Sequence, residues 1–189
     1  VFRGLTLSAE KYLEFARRFG RPEPHVIDQF HYPGHPDILI LSNVRKHGEP
    51  TGLADAGTYF HTDYSYLEVP ARATLLYSIQ VPEKGGDTLF ANQYAAYDDL
   101  PEEMRQRLKE LRSPHVYESS KSPRKMAELT PEERAKVPQT MQPLVIRHPE
   151  SARAALYLNT GRMEGIEGMP PEEAFALIAR LYGHPTQSQ

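Results

Sequence analysis

Tyr12, Phe15, Ala16 and Phe19 recur at the spacing of one buried helix face, and Ser8 in Leu7-Ser8-Ala9-Glu10 predicts the N-cap of that helix, which Gly20 and Pro22 end. A second amphipathic helix is predicted after Pro101, where Met104, Leu108 and Leu111 share one side. Thr130-Pro131-Glu132-Glu133 has the capping-box pattern that opens a third helix, short and charged. A last helix is predicted from Pro171 to Tyr182, with Ala174, Leu177, Ile178 and Leu181 facing inward and Gly183 as its stop.

Between these helices lie shorter β-type runs. Ile38 to Leu41 is one, and Ala71 to Gln80 and Asp87 to Ala91 are two more, joined in hairpin fashion by Pro82-Glu83-Lys84-Gly85-Gly86. Pro143 to Arg147 and Ala154 to Asn159 are predicted to pair around a turn at His148-Pro149-Glu150-Ser151. The stretch 113–143, rich in Ser, Pro, Lys and Glu, reads as a mobile excursion, a solvated loop or a lid. Strands separated by turns, with helices that do not alternate regularly with them, predict an α+β, β-rich fold of jelly-roll type over a doubly wound parallel sheet.

A length of 189 residues with 39% hydrophobic content suits a single domain. A net charge of −3 supplies no basic field for nucleic acid or an anionic membrane, and no apolar run approaches the roughly 18 residues of a spanning helix. The expectation is a soluble, cytoplasmic protein whose partners include neither nucleic acid nor membrane. With no cysteine, thiolate-bound metal, disulfides and a cysteine nucleophile are excluded, so any metal would be held by His, Asp or Glu. The chain starts at Val1 and stops in a polar string, which predicts a fragment of a longer protein.

A histidine and a carboxylate one residue apart point to the same side of a strand and reach one ion together. Chance supplies about one such pair in a chain of this composition. Three occur: His35-Pro36-Asp37, His61-Thr62-Asp63 and His148-Pro149-Glu150. A central proline gives the first and third a simpler reading as turns. The middle pair lies in Tyr59-Phe60-His61-Thr62-Asp63-Tyr64-Ser65-Tyr66, whose aromatic and β-favouring residues predict a partly buried strand or strand end. On spacing and surroundings alone, metal binding and a plain His–carboxylate hydrogen bond remain equally open for it.

The run Phe60-His61-Thr62-Asp63-Tyr64-Ser65-Tyr66 is followed by Leu75-Leu76-Tyr77, Val81-Pro82, Gly85-Gly86-Asp87-Thr88-Leu89-Phe90-Ala91-Asn92 and Ala95-Ala96-Tyr97. It closely resembles the taurine dioxygenase family, which includes the 2,4-dichlorophenoxyacetate dioxygenases and related oxygenases dependent on iron(II) and 2-oxoglutarate. The likeness continues through Val1 to Gly20, the His148-Pro149 turn, Ala155-Leu156-Tyr157-Leu158-Asn159 and Ile166 to His184, nearly the whole chain.

The resemblance implies a double-stranded β-helix, a jelly-roll variant with flanking helices, incomplete in this chain. It implies an oxidoreductase that uses Fe(II), 2-oxoglutarate and O2 to hydroxylate an aliphatic C–H of a small organic acid such as a sulfonate or aryloxyalkanoate. His61 and Asp63 match the first two ligands of a facial set of two His and one carboxylate. Thr88 matches a position whose hydroxyl helps to hold the far carboxylate of 2-oxoglutarate. Asn43, Asp55, Tyr59 and Tyr66 are the candidates facing the substrate. The distal His and the co-substrate arginine are expected beyond position 189; His184 is read as a helix C-terminal residue, and Arg147, Arg153 and Arg162 as surface or turn residues. A non-catalytic β-helix module with a structural His–Asp pair is the alternative, and a hydrolytic zinc site ranks last for want of a general base or nucleophile. A homo-oligomer is compatible with the sequence, which fixes no oligomeric state.

Overall fold

The computed structural model describes residues 1–123 and 128–186. In chain order its elements are α1 (Ala9–Ala16), β1 (His31–Tyr32), β2 (His35–Leu39), β3 (Arg45–Lys46), β4 (Glu49–Pro50), α2 (Gln93–Asp98) and α3 (Glu102–Lys109). Then follow β5 (Arg112–His115), α4 (Pro131–Lys136), β6 (Thr140–Pro143), β7 (Val145–Arg147), β8 (Ala154–Leu156) and α5 (Pro171–Thr186). They fall into two units, the first made of Val1–Ala56, Ala71–Ile79 and Leu129–Lys136, the second of Gly57–Pro70, Gln80–Glu128 and Val137–Gln189. Among the described residues, no helix is long and apolar enough to cross a membrane.

In the first unit α1 begins where its cap predicts, with Ser8 Oγ accepting the Lys11 N–H at 3.3 Å. The helix stops at Ala16, however, so Phe19 falls outside it and is 43% exposed, and Leu13 is the residue α1 buries. Tyr12 donates its hydroxyl to the Leu75 carbonyl at 2.7 Å, and Tyr77 accepts the Leu7 N–H at 3.1 Å, which ties α1 to the 71–79 segment. β1 and β2 form an antiparallel hairpin, as do β3 and β4 around His47 and Gly48, both with positive φ (52° and 87°). The capping box of α4 is formed: Thr130 N–H donates to Glu133 Oε2 at 2.8 Å and Glu133 N–H to Thr130 Oγ1 at 3.2 Å.

The second unit holds the main core. β5 pairs antiparallel with β6, so that the predicted excursion at 113–143 is anchored by a ladder at both ends; Arg124 to Ala127 within it lie outside the described residues. The other edge of β5 receives residues 162–167, with Val116 N–H donating to Arg162 O at 3.0 Å and Glu164 N–H to Pro114 O at 2.9 Å. β7 and β8 pair around the 148–151 turn as predicted. Leu144, fully buried, separates β6 from β7 where the pattern predicts one strand, and its N–H donates to Leu111 O while its carbonyl accepts from Tyr157. α2, α3 and α5 pack on these strands through Ala96, Tyr97, Leu108, Ala174, Leu177, Ile178 and Leu181, the inward faces that the periodicity predicts for α3 and α5. Each fully buried leucine contributes about 2 kcal/mol.

Two expectations fail here. Ala71–Gln80 and Asp87–Ala91 form no strand: neither joins a ladder among the described residues, and Leu76, Ile79, Leu89 and Phe90 are 67%, 85%, 70% and 89% exposed. β-propensity describes fit to a paired, half-buried surface, and without a cross-strand partner it does not produce a strand. α5 also runs beyond Gly183 to Thr186, with Pro185 in its last turn, where a missing N–H removes one hydrogen bond and breaks nothing further. Among the described residues the strands make four two-stranded antiparallel sheets.

Candidate metal centre

His61 and Asp63 do not lie on a strand. Residues 61 and 62 are irregular and 63–66 form a turn, with Tyr64 in the left-handed region (φ 57°) and Leu67 N–H returning to Tyr64 O at 3.0 Å. The β-favouring composition is overridden because side chains take up the carbonyls that a ladder would use. Asn159, 2% exposed at the end of β8's extension, donates from Nδ2 to Thr62 O at 2.8 Å and to Ser65 Oγ at 3.1 Å, and accepts from Tyr59 OH at 3.4 Å. From β6, Thr140 donates to Tyr66 O at 3.0 Å and Gln142 to Leu67 O at 2.7 Å. Tyr182 of α5 accepts the Phe60 N–H at 3.2 Å. Gly161 leaves the space that the Tyr59 ring fills, since a Cβ there would collide with its hydroxyl. The segment is therefore clamped from three elements of the unit.

Within that clamp the two side chains converge. His61 Nε2 stands 3.2 Å from Asp63 Oδ1, and His61 Nδ1 is 2.7 Å from the Tyr59 carbonyl. A carbonyl only accepts, so Nδ1 carries the proton and Nε2 is the nitrogen turned to the carboxylate. A neutral ring in this tautomer would point a lone pair at an anionic oxygen. Either a second proton or a cation must lie between them, and the hydrogen bond to Asp63 accordingly raises the His61 pKa, helped by the Tyr59 carbonyl and opposed by partial burial and by the charge of Arg162. The side chains are 29% and 40% exposed, open enough for an ion to enter. No group of three or more His, Asp or Glu side chains able to hold a metal occurs among the described residues.

The other candidates are dispersed. Thr88 is exposed and makes no side-chain hydrogen bond among the described residues. Asn43 and Asp55 are exposed residues of the first unit, whereas Tyr59 and Tyr66 belong to the second with the His–Asp pair. Tyr66 is 5% exposed, stacks on Tyr64 at 5.7 Å between centroids and meets Tyr117 edge-on at 5.0 Å; burial pushes its hydroxyl pKa far up. The turn reading holds for one proline-containing pair and fails for the other: His148 Nδ1 accepts from Glu150 N–H and Ser151 N–H, both at 3.3 Å, at the 148–151 turn, whereas His35-Pro36-Asp37 opens strand β2, where His35 pairs with Glu10 at 3.2 Å. His184 lies in the last turn of α5.

Arg147 and Arg153 are exposed, one donating to Ala152 O and the other pairing with Asp98 at 3.1 Å. Arg162 contradicts the surface reading: it is 7% exposed, donates from Nη1 to the Tyr117 carbonyl and lies over the rings of Tyr117 and Tyr66, 4.6 and 5.3 Å from their centroids. Sequence reasoning missed both Asn159 and Arg162. For Asn159 the available signal was its position directly after the apolar run Ala155-Leu156-Tyr157-Leu158, since a polar residue ending a buried run must find partners inside; Arg162, beyond Thr160 and Gly161, carried no such signal.

Comparison with known proteins adds a family. The model of the taurine catabolism dioxygenase TauD, TfdA family matches residues 1–189. The chain is 34% identical to a pentalenolactone F synthase from Streptomyces arenae, covering 100% of this chain and 68% of that protein. It is 34% identical to an alpha-ketoglutarate-dependent 2,4-dichlorophenoxyacetate dioxygenase from Burkholderia sp. strain RASC, covering 99% of this chain and 66% of that one. Among solved structures, a taurine dioxygenase from Burkholderia xenovorans superposes with a TM-score of 0.74 at 30% identity, over 98% of this chain and 58% of that chain. The chain thus spans about two thirds of the length of these curated relatives and less of the solved one.

Proposed function

Because the chain belongs to the taurine catabolism dioxygenase TauD, TfdA family, we propose that it supplies metal ligands of a cytoplasmic dioxygenase dependent on iron(II) and 2-oxoglutarate. Its substrate is a small organic acid, such as a sulfonate or an aryloxyalkanoate, hydroxylated at an aliphatic C–H. The single observation that supports this most is the His61 ring: its Nδ1 is held by the Tyr59 carbonyl while Nε2 and Asp63 Oδ1 face each other at 3.2 Å. This is the arrangement in which a backbone carbonyl fixes the tautomer of a metal-binding histidine, and an imidazole beside a carboxylate suits iron(II).

His61 and Asp63 would supply two of three protein ligands. Thr88 is assigned to the far carboxylate of 2-oxoglutarate, and Asn43, Asp55, Tyr59 and Tyr66 to the substrate side, on the family resemblance. The fold completed around them is a double-stranded β-helix. When bound, iron(II) couples oxidative decarboxylation of 2-oxoglutarate by O2 to hydroxylation of the substrate. The chain's own part is placement. Tyr59 O fixes the ring, Asn159 fixes the backbone at Thr62 and Ser65, and the Asp63 carboxylate would hold the ion beside His61 Nε2.

The test is stoichiometric conversion of 2-oxoglutarate to succinate in the presence of iron(II) and O2, stimulated by a small acid and lost in Asp63→Ala. A second reading, a non-catalytic module, is favoured by the same His61–Asp63 contact taken as a structural hydrogen bond. Under it His61→Ala lowers stability and leaves metal affinity unchanged, and no succinate forms.

A further inference from the structure

The guanidinium of Arg162 is a buried cation without an anion. It is 7% exposed, and among the described residues no Asp or Glu lies within ion-pair distance of it; its one side-chain hydrogen bond goes from Nη1 to the Tyr117 carbonyl. The rings of Tyr66 and Tyr117 lie against the guanidinium, a contact that favours a cation but satisfies none of its N–H groups. Among the described residues the remaining donors of the guanidinium face no protein acceptor, and none of them is a fully buried orphan. Burying a charge in this way is costly unless an opposite charge answers it.

The same arginine stands beside the candidate metal centre. Its backbone follows Asn159 and Gly161, which hold Tyr59 and the Thr62 to Ser65 turn that carries Asp63. It stacks on Tyr66, three residues from Asp63. We propose that Arg162 binds the anionic head group of the substrate, a carboxylate, sulfonate or sulfate, through its free N–H edge, and so selects small acids over their neutral analogues. The inference rests on the oxygenase reading for the word substrate, while anion binding itself does not. A planar guanidinium held by two rings presents paired N–H groups that match two oxygens of such a head group. 2-Oxoglutarate offers the same chemistry, and the experiment separates the two.

Calorimetric titration of the full chain with 2,4-dichlorophenoxyacetate and with the neutral isostere 2,4-dichlorophenoxyacetamide reads the preference directly. Charge-assisted pairing corresponds to a preference of roughly tenfold or more for the acid. In Arg162→Gln that preference disappears while amide binding holds, and Arg162→Lys restores part of it. The affinity for 2-oxoglutarate, followed anaerobically by its visible charge-transfer band with iron(II), stays the same in both variants. Equal binding of acid and amide by the unsubstituted protein, or failure of both this acid and 1-hexanesulfonate to bind it, overturns the assignment without recourse to any variant. Loss of acid and amide binding together in Arg162→Gln would assign the residue to packing. Loss of 2-oxoglutarate binding instead would assign it to the co-substrate, and either result overturns the proposal. Absence of the charge-transfer band with the acid preference intact would sink the oxygenase reading alone.

Discussion

Asn159 spends its whole side-chain amide on the 59–65 segment: two donated hydrogen bonds, to Thr62 O and Ser65 Oγ, and one accepted from Tyr59. Asn159→Ala leaves those groups without a partner in a region where Ser65 is fully buried, so it costs about 1–3 kcal/mol in urea denaturation. It also lets the His–Asp pair drift, and iron(II) affinity falls roughly tenfold or more. An unchanged iron affinity would show that the clamp does not set the pair. The convergence of His61 and Asp63 was legible in the sequence, from their local spacing together with the family resemblance, although the strand expected to carry them is a turn; Asn159 reaches Thr62 across 97 positions, a distance no pattern in the chain encodes. Arg162 does sit in a turn, one of the two roles read for it, but not at the surface: Arg is mostly a surface residue, and the packing of Tyr66 and Tyr117 shows otherwise.

His115 gives a second prediction at the same scale. It is fully buried at the end of β5, stacks on Tyr157 with centroids 6.3 Å apart, and neither ring nitrogen has a hydrogen-bond partner among the described residues. Burial lowers its pKa to about 4 from the ordinary 6.5. The unfolded chain therefore binds this proton more readily than the folded one. The neutral-ring fold is favoured above pH 6.5, and stability falls by up to about 3 kcal/mol as the pH drops through 6.5 towards 4, levelling off below. Replacing the ring by phenylalanine flattens that part of the profile. A variant whose stability falls as steeply as the parent's between those pH values would contradict the assignment.

Amphipathic helices carry their own signal, and α3 and α5 bury the faces that their spacing predicts, while α1 and α4 start at their predicted caps. Leu181 in α5 is 1% exposed, and its neighbour Tyr182 holds Phe60 at the edge of the site. Leu181→Ala opens a cavity and costs about 2–5 kcal/mol. Tyr182→Phe removes the acceptor for Phe60 N–H without opening a cavity and costs about 1 kcal/mol, both read by thermal or urea unfolding. Equal effects of the two substitutions would mean that α5 is anchored by something other than its apolar face. Strands were less legible, because a strand is defined by its partner. β7 and β8 are consecutive and pair across a short turn, which the sequence displays; 71–80 and 87–91 have suitable composition and no ladder. The turn at 63–66 shows the converse, where side chains of Asn159, Thr140 and Gln142 take the place of a neighbouring strand.

For the chain as a whole, order is concentrated in the second unit's core around Leu108, Leu144, Leu156 and Leu181, and the 80–91 stretch of that unit carries exposed Val81, Leu89 and Phe90. Backbone amides with no ladder exchange through small local openings, so those of 80–91 exchange with solvent orders of magnitude faster than those of α5. Protection of 80–91 equal to that of α5 would show a pairing that this arrangement lacks. The family match covers the entire chain, and the long-range contacts that build the site come from β6, the extension of β8 and α5. The claim on which the functional account stands is that His61 and Asp63 take iron(II) between them, and anaerobic titration of the protein with iron(II) and 2-oxoglutarate tests it most directly. A weak visible charge-transfer band that appears in the unsubstituted protein and is lost in His61→Ala is the expected result. A band of undiminished strength in His61→Ala, or none in the unsubstituted protein, contradicts it.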